Sequence, residues 1–395
     1  MKKSHKFHSI SEMINQGINK AEKGNFDEAE KIFLNIINLD ENCLIAYFNL
    51  FSINETYFDE KKFNKIKNIS NNTNLGDYEK SLANYLISLF ERKNKNFKNE
   101  IYYLDKAYSY SYKSKLNINE QSDNFFRKII PNLFNKKKYI VNKEIQKKFK
   151  IFNPIFIVGL PRTGSTLIEA ILSSNKLRIP SCGESSIINS TIVKMTRKNI
   201  DLSNSRLHID YDSFSNTIYD KYKKLDLLID KKNFFFIDKS LENFFYIDLI
   251  LDLFPNAKFI NCKRNLFHTS ISIYQKFLVH LGWSFSYKKI LDYIDNYLKV
   301  IKFFKNKYPK RIYDLDLEKL IENHVKISKD VFDFCKISWE PDVLKFYKRK
   351  DLYSKTASTK QVRKKIYNYE KDKFLSYNDL GNKFSSEFNW LKEYF

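Results

Sequence analysis

The sequence predicts two halves of different fold class: an all-α region over residues 1–148 and an α/β region over 149–395. Three observations predict this. Up to about residue 148, apolar residues recur at helical spacing. From residue 154, apolar runs of strand length alternate with helical stretches, as they do in a parallel sheet covered by helices. The first of those runs turns through two glycines directly into a helix.

In the first half, Ile10, Met13, Ile14, Ile18 and Ala21 share one helical face, and Ala29, Ile32, Phe33, Ile36 and Ile37 share another. Between them Gly24 suits a helix end, and Asn25 with Glu28 fits a capping box for the next helix. A degenerate echo, Lys95-Asn96-Phe97-Lys98-Asn99-Glu100-Ile101, follows 71 positions later. That interval is close to two tetratricopeptide periods of about 34 residues. A helical pair at 41–54 and 59–69, closed by an Asn71–Gly76 loop, fills the gap. A plain helical bundle is the competing reading. No catalytic constellation occurs here, so this half is expected to dock a protein partner or to cover the other half. Lys136–Lys138 and Lys147-Lys148 mark an exposed basic junction.

The second half opens with the stretch on which the rest depends, Ile155–Val158 followed by Gly159-Leu160-Pro161-Arg162-Thr163-Gly164-Ser165-Thr166. A buried strand, a glycine turn and a helix N-terminus aim backbone N–H groups and the helix dipole at one anion, which defines a P-loop-type sheet. The spacing nearly fits Gly-x-x-x-x-Gly-Lys-Ser/Thr. Ser165 stands where the lysine belongs, and the nearby cation is Arg162. This suits a nucleotide with a short 5′ tail better than ATP with Mg²⁺. Further strands are predicted at Phe234–Ile237, Lys258–Cys262 and Arg311–Leu315, with helices around 166–174, 185–229, 242–253, 265–280 and 286–308. In such a sheet ligands sit at the C-terminal ends of the strands.

Residues that suit the chemistry of a site follow those strand ends. Pro180-Ser181-Cys182-Gly183-Glu184 offers a carboxylate able to take a proton. Phe234-Phe235-Phe236-Ile237-Asp238-Lys239 ends in an acid and a base, and Lys263-Arg264 closes another apolar run with Ser272 eight positions beyond Arg264. A guanidinium gives forked donors for phosphate, and a helical hydroxyl adds one more.

Pro161–Thr166 behind its hydrophobic strand resembles the 5′-phosphosulfate loop of sulfotransferases, which use 3′-phosphoadenosine 5′-phosphosulfate (PAPS). The match is closest to bacterial sulfotransferases preceded by tetratricopeptide-like helices and to tyrosylprotein sulfotransferases. It covers about residues 150–390. The resemblance implies that Arg162, Thr163, Gly164, Ser165 and Thr166 hold the 5′-phosphosulfate, with Arg162 also catalytic. It makes Glu184 the general base, and Lys239 the cation between phosphate and sulfonate. Arg264 and Ser272 hold the 3′-phosphate, with Lys263 as a helper. Asp238-Lys239-Ser240-Leu241-Glu242-Asn243-Phe244 resembles the family's Asp-Lys-x-Pro-x-Asn-Phe, with Leu241 in the proline's place. Ile337-Ser338-Trp339-Glu340-Pro341 resembles the segment before the family's last loop. Thr356-Ala357-Ser358-Thr359-Lys360-Gln361-Val362-Arg363-Lys364-Lys365-Ile366-Tyr367 then resembles that loop, with Lys365 in place of a proline. Lys364 or Arg363 is implied to close over the nucleotide. Leu317 replaces a family tyrosine, whose contact is either absent or taken over by Tyr313.

The implied function is sulfonate transfer to an acceptor hydroxyl or amine, with no metal; the acceptor is open among a protein tyrosine, a glycan, a lipid and a small molecule. Two rivals stand beside it. One is a Mg²⁺-dependent nucleotide kinase with Asp238 as metal ligand, and the other a non-catalytic helical scaffold with a decayed second half. The net charge of +23 across 395 residues comes without an arginine-rich block or aromatic–basic module, so no nucleic-acid partner is expected. Cys43, Cys182, Cys262 and Cys335 are too scattered for a zinc site or a disulfide framework. The basic N-terminus lacks an apolar signal region and no apolar run reaches bilayer length, so a soluble, cytoplasmic protein is expected.

Overall fold

The computed structural model describes residues 2–196, 200–201, 206–228, 234–349, 351 and 359–395. The N-terminal region is helical. Lys2–Glu22 pairs with Phe26–Leu39, and Leu44–Ile53, Glu60–Ser70, Asp77–Lys93 and Phe97–Ser114 follow. Phe33, Ile36, Leu50, Ile66 and Leu86 are fully buried among them. The turn at Gly24 and its echo at Asn96 both start a helix on phenylalanine, Phe26 and Phe97. The expected capping box does not form: Asn25 makes no side-chain cap bond. Glu28 instead pairs with Lys20 across the hairpin at 2.5 Å. The first turn still carries Asp27 and Glu28 at the positive end of the dipole.

The second half is built on four parallel strands, β1 (Phe152–Gly159), β2 (Phe234–Asp238), β3 (Lys258–Lys263) and β4 (Ile312–Asp316), in spatial order β2-β1-β3-β4. Register pairs Ile155 with Ile237, Gly159 with Cys262 and Lys263 with Asp316. Both faces are covered, which explains the unbroken apolar runs. Phe156 and Val158 enter one core with Phe236, Phe254 and Tyr293; Ile155 and Ile157 enter another with Ile171, Leu315 and Phe332. The first of these cores also takes in Tyr85, Tyr108 and Phe125 from the helical half.

The single helix expected over 185–229 is two helices, Ile187–Thr196 and Tyr211–Lys223. Between them Ile200–Asp201 and Arg206–His208 pair antiparallel, and Lys137–Lys138 adds a parallel strand. The sequence at Arg206-Leu207-His208-Ile209 alternates polar and apolar residues, a strand period that the longer helical window hid. Asp210 then caps the second helix by accepting from Ser213 N at 3.1 Å. The 242–253 helix likewise begins as a 3₁₀ turn, Leu241–Tyr246, before Ile247–Leu253.

Candidate active site

A cavity of about 450 Å³ opens at the C-terminal ends of the strands. Its floor is the loop between β1 and helix Ser165–Ser173. Gly164, at φ +89°, is the N-cap, and a Cβ there would stand 2.6 Å from Leu317 Cδ1. Both the left-handed backbone and the close leucine therefore demand glycine. Thr163 Oγ1 donates to Leu160 O at 2.7 Å and stiffens the turn. Ser165 and Thr166 are nearly buried at the helix start, where the first N–H groups have no intrahelical acceptor. Arg162 itself takes φ +70°, a strained choice for a residue with a side chain.

The cations gather on one side of this loop. Arg162 Nε donates to Ser272 Oγ at 3.2 Å, and Arg264 Nη1 donates to Arg162 O at 3.3 Å. The Arg264 guanidinium lies 3.9 Å from the centroid of Tyr369 and 5.3 Å from that of Phe374. Its Nε is buried without a hydrogen-bond partner. Such an atom in a cation-lined cleft calls for an anionic ligand. Desolvation and the neighbouring Arg264 push the Arg162 pKa down to about 10. Lys373 is lowered by desolvation and by Arg264, Arg162 and Arg92. Glu318, 3.9 Å from Arg264 Nε and accepting from Tyr369 Oη, offsets only part of this positive charge.

The two candidate cations of the last loop part company. Lys364 and Lys365 line the cavity. Arg363 does not; it donates to Thr359 O at 2.8 Å and to Glu22 O at 3.0 Å, beside the first helical turn. Thr356, Ala357 and Ser358 lie outside the described residues. Lys263 pairs with Asp314 at 3.3 Å and does not line the cavity. Tyr313 packs on Phe334 in the opposite core, so it does not replace the missing tyrosine. Leu317 lines the cavity, and Tyr367 and Tyr369 supply aromatic faces there.

Glu184 reaches the site because its segment runs along the free edge of β2. Ile237 N donates to Pro180 O at 2.9 Å, Cys182 N to Ile237 O at 3.0 Å, and Lys239 N to Gly183 O at 3.0 Å. The ladder sets Glu184 against Lys239, whose Nζ is 2.8 Å from Glu184 Oε1 and 3.5 Å from Glu169 Oε2. Lys239 is fully buried and stands behind Glu184, which lines the cavity. Burial opposes its charge, but Glu169 and Glu184 outweigh that, and its pKa is raised. Asp238 is fully buried and does not line the cavity: it accepts from Tyr222 Oη at 2.6 Å, Ser240 N at 2.8 Å and Asn243 Nδ2 at 3.2 Å, and so orients the turn. Among the described residues no group of three or more His, Cys, Asp and Glu side chains is placed to hold a metal.

Sequence reasoning missed Glu169, Glu242, His280 and Tyr369. Glu169 lies four residues after Ser165, so helical spacing alone puts it on the loop side of that helix. Glu242 accepts from Ser186 Oγ at 2.6 Å, and burial raises its pKa. His280 lines the cavity; loss of hydration there lowers its pKa, and Glu184 partly offsets the effect.

A cluster of cations and a carboxylate backed by a buried lysine therefore meet in one cavity. Residues 154–341 match the model of the sulfotransferase family, so the α/β half is sulfotransferase-like. An uncharacterized protein of Aquifex aeolicus (strain VF5) is 31% identical over 239 residues, which is 57% of this chain. The chain spans 30% of that relative's length. Two solved structures overlap at low identity. The sulfotransferase domain of the Synechococcus PCC 7002 olefin synthase has 18% identity and a TM-score of 0.41, over 63% of this chain and 98% of its own. The sulfotransferase domain of the curacin biosynthetic pathway has 16% identity and a TM-score of 0.35, over 58% of this chain and 98% of its own.

Proposed function

We propose that the protein is a PAPS-dependent sulfotransferase acting on a hydroxyl or amine acceptor. The observation that carries the reading is the buried Arg264 Nε, which has no hydrogen bond and meets only Glu318 at 3.9 Å, beside Arg162 and Ser272 in the cavity that Glu184 also lines. A short-tailed nucleotide with a second phosphate fits this set. The loop N–H groups, Arg162, Thr163, Ser165 and Thr166 would hold its 5′ end. Arg264, Ser272 and Lys364 would hold the 3′-phosphate, with Tyr369 and Phe374 fixing the guanidinium plane. Bound there, PAPS supplies a sulfonate on a phosphate leaving group.

Glu184 takes the proton of the acceptor as its oxygen or nitrogen attacks. That proton neutralises the carboxylate, while Lys239, buried behind it, orients Glu184 and would have to leave its two glutamates to meet charge growing on the leaving oxygen. Glu169 keeps the lysine charged through the exchange. The burial of Asp238 away from the cavity, with three donors on it, supports this reading over the kinase, which needs that carboxylate at a metal. The helical half is proposed to dock a partner as well as to wall the site, and the four free thiols fit a reducing, cytoplasmic setting. Transfer of ³⁵S from labelled PAPS to a panel of alcohols and amines in EDTA tests the proposal. Label transfer supports it. Phosphate transfer from γ-³²P ATP that requires Mg²⁺ would replace it with the kinase.

A further inference from the structure

The acceptor end of the cavity is completed by the helical half. Helix Leu116–Asn124 passes into a π turn, Phe125–Ile129, before Ile130–Leu133. Such turns are rare and concentrate at functional sites. This one is locked on both sides. Arg127 Nη1 donates to Asp292 at 2.6 Å and Nη2 to Asp123 at 2.8 Å, while Asn296 Nδ2 donates to Arg127 O at 3.1 Å. The turn sets Phe126 against Tyr293, with ring centroids 6.5 Å apart at 71°, and Phe126 lines the cavity that holds Glu184. Trp283 stacks on Tyr293 at 3.8 Å and 2° to continue the wall. The loop bearing Trp283 is seated on the same half, since a Cβ on Gly282 would fall 1.8 Å from Ser122 Oγ.

The chemistry of this wall differs from that of the other end. Phe126, Leu278, Leu281, Trp283 and Tyr293 are joined by the carboxylates Glu184 and Glu242, while the cations Arg162, Arg264, Lys364 and Lys373 belong to the loop side. An anionic acceptor would face Glu242 and Glu184, and the cation beside Glu184, Lys239, is buried behind it and already paired. The cavity of about 450 Å³ also has to take a nucleotide, which leaves space for a small body.

We infer that Phe126 is a specificity-determining residue supplied by the helical half, and that the acceptor it fits is a small uncharged alcohol on an aromatic or similarly flat apolar body. This rests on the sulfotransferase reading for the chemistry but not for the shape of the wall. The test is calorimetric titration of 2-naphthol into protein loaded with 3′-phosphoadenosine 5′-phosphate (PAP), beside N-acetylglucosamine and an acidic tyrosine peptide. Naphthol is expected to bind at least about tenfold more tightly than either, the scale of a lost apolar pocket contact. Phe126→Ala should weaken naphthol by about tenfold and leave PAP affinity unchanged, whereas Phe126→Leu restores most of it. Phe126→Trp, which fills the pocket, should exclude naphthol yet keep PAP. Preference for the sugar or the peptide overturns the inference, as does naphthol affinity indifferent to all three substitutions. The same titrations on nucleotide-free protein separate the two claims. If PAP does not bind but naphthol binding still depends on residue 126, the cofactor reading falls and the wall stands.

Discussion

Glu169→Gln is the most informative single change. The amide keeps the hydrogen bond that Ser181 Oγ donates to Glu169 Oε1 at 2.6 Å, and removes only the charge 3.5 Å from Lys239 Nζ. The lysine side chain is 1% exposed and the glutamate 16%, so solvent screens the pair weakly. At an effective dielectric of 20 the lost Coulomb interaction is roughly 5 kcal/mol, offset in part because an uncharged amide is cheaper to bury. Breaking a buried pair typically costs about 3–5 kcal/mol. Here Glu184 still holds the lysine at 2.8 Å, so a loss of about 2–3 kcal/mol is expected, read as a lower urea midpoint. Catalysis should suffer too. Glu184 becomes the lysine's sole counter-ion and a poorer proton acceptor, which should lower kcat by about tenfold or more while PAP affinity holds. Stability within about 0.5 kcal/mol of the parent together with an unchanged kcat would refute the three-member arrangement.

Other predictions follow from the same geometry. Glu184→Gln should lower kcat by roughly 10²–10⁴-fold, the span for one general base, with little change in nucleotide affinity; a wild-type single-turnover rate would end that role. Lys364→Ala should weaken PAP binding by calorimetry, whereas Arg363→Ala should mainly lower the melting temperature, because Arg363 holds Glu22 O; the reverse order would put Arg363 in the cavity. Glu100 is buried against Gln275 and Tyr377, and burial raises its pKa above 4.5. The folded state then binds more protons than the unfolded state, so stability should decline as pH rises from 4.5 through the raised value. Glu100→Gln should flatten that decline in urea titrations at successive pH values; an unaltered slope would assign it elsewhere. The 148/149 boundary is a further proposal. Tyr85 and Tyr108 share a core with Phe156 and Tyr293, so an isolated 149–395 fragment is expected to aggregate or melt well below the whole chain.

The phosphate loop was legible because its chemistry is local. Strand, glycine turn and helix start lie within a dozen residues, and each has a composition that fixes its backbone. β1 and β2 were legible for the same reason, as unbroken apolar runs, whereas Asn261 interrupts β3 and Asp314 interrupts β4. What depends on distant partners was not. Residue type alone does not distinguish Lys364 from Arg363; Thr359 O and Glu22 O, the latter more than three hundred positions away, together turn Arg363 from the cavity. Glu169 reads as an ordinary helix carboxylate until Lys239 is set beside it by the pairing of β1 with β2. The π turn at Phe125 carries no mark in sequence, because its stabilising groups, Asp292 and Asn296, come from another helix.

The central claim is that two separate anion-binding groups take a 3′,5′-bisphosphorylated nucleotide without metal. Calorimetric titration of PAP, AMP and ATP in EDTA, on the parent and on Arg264→Ala, tests it most directly. PAP should bind the parent at least about tenfold more tightly than AMP, the 3′-phosphate supplying one or more charge-assisted bonds to a guanidinium whose Nε has no hydrogen bond. The Arg264→Ala change should erase that advantage. Equal affinities for PAP and AMP, or tight ATP binding that appears only when Mg²⁺ is restored, would contradict the account.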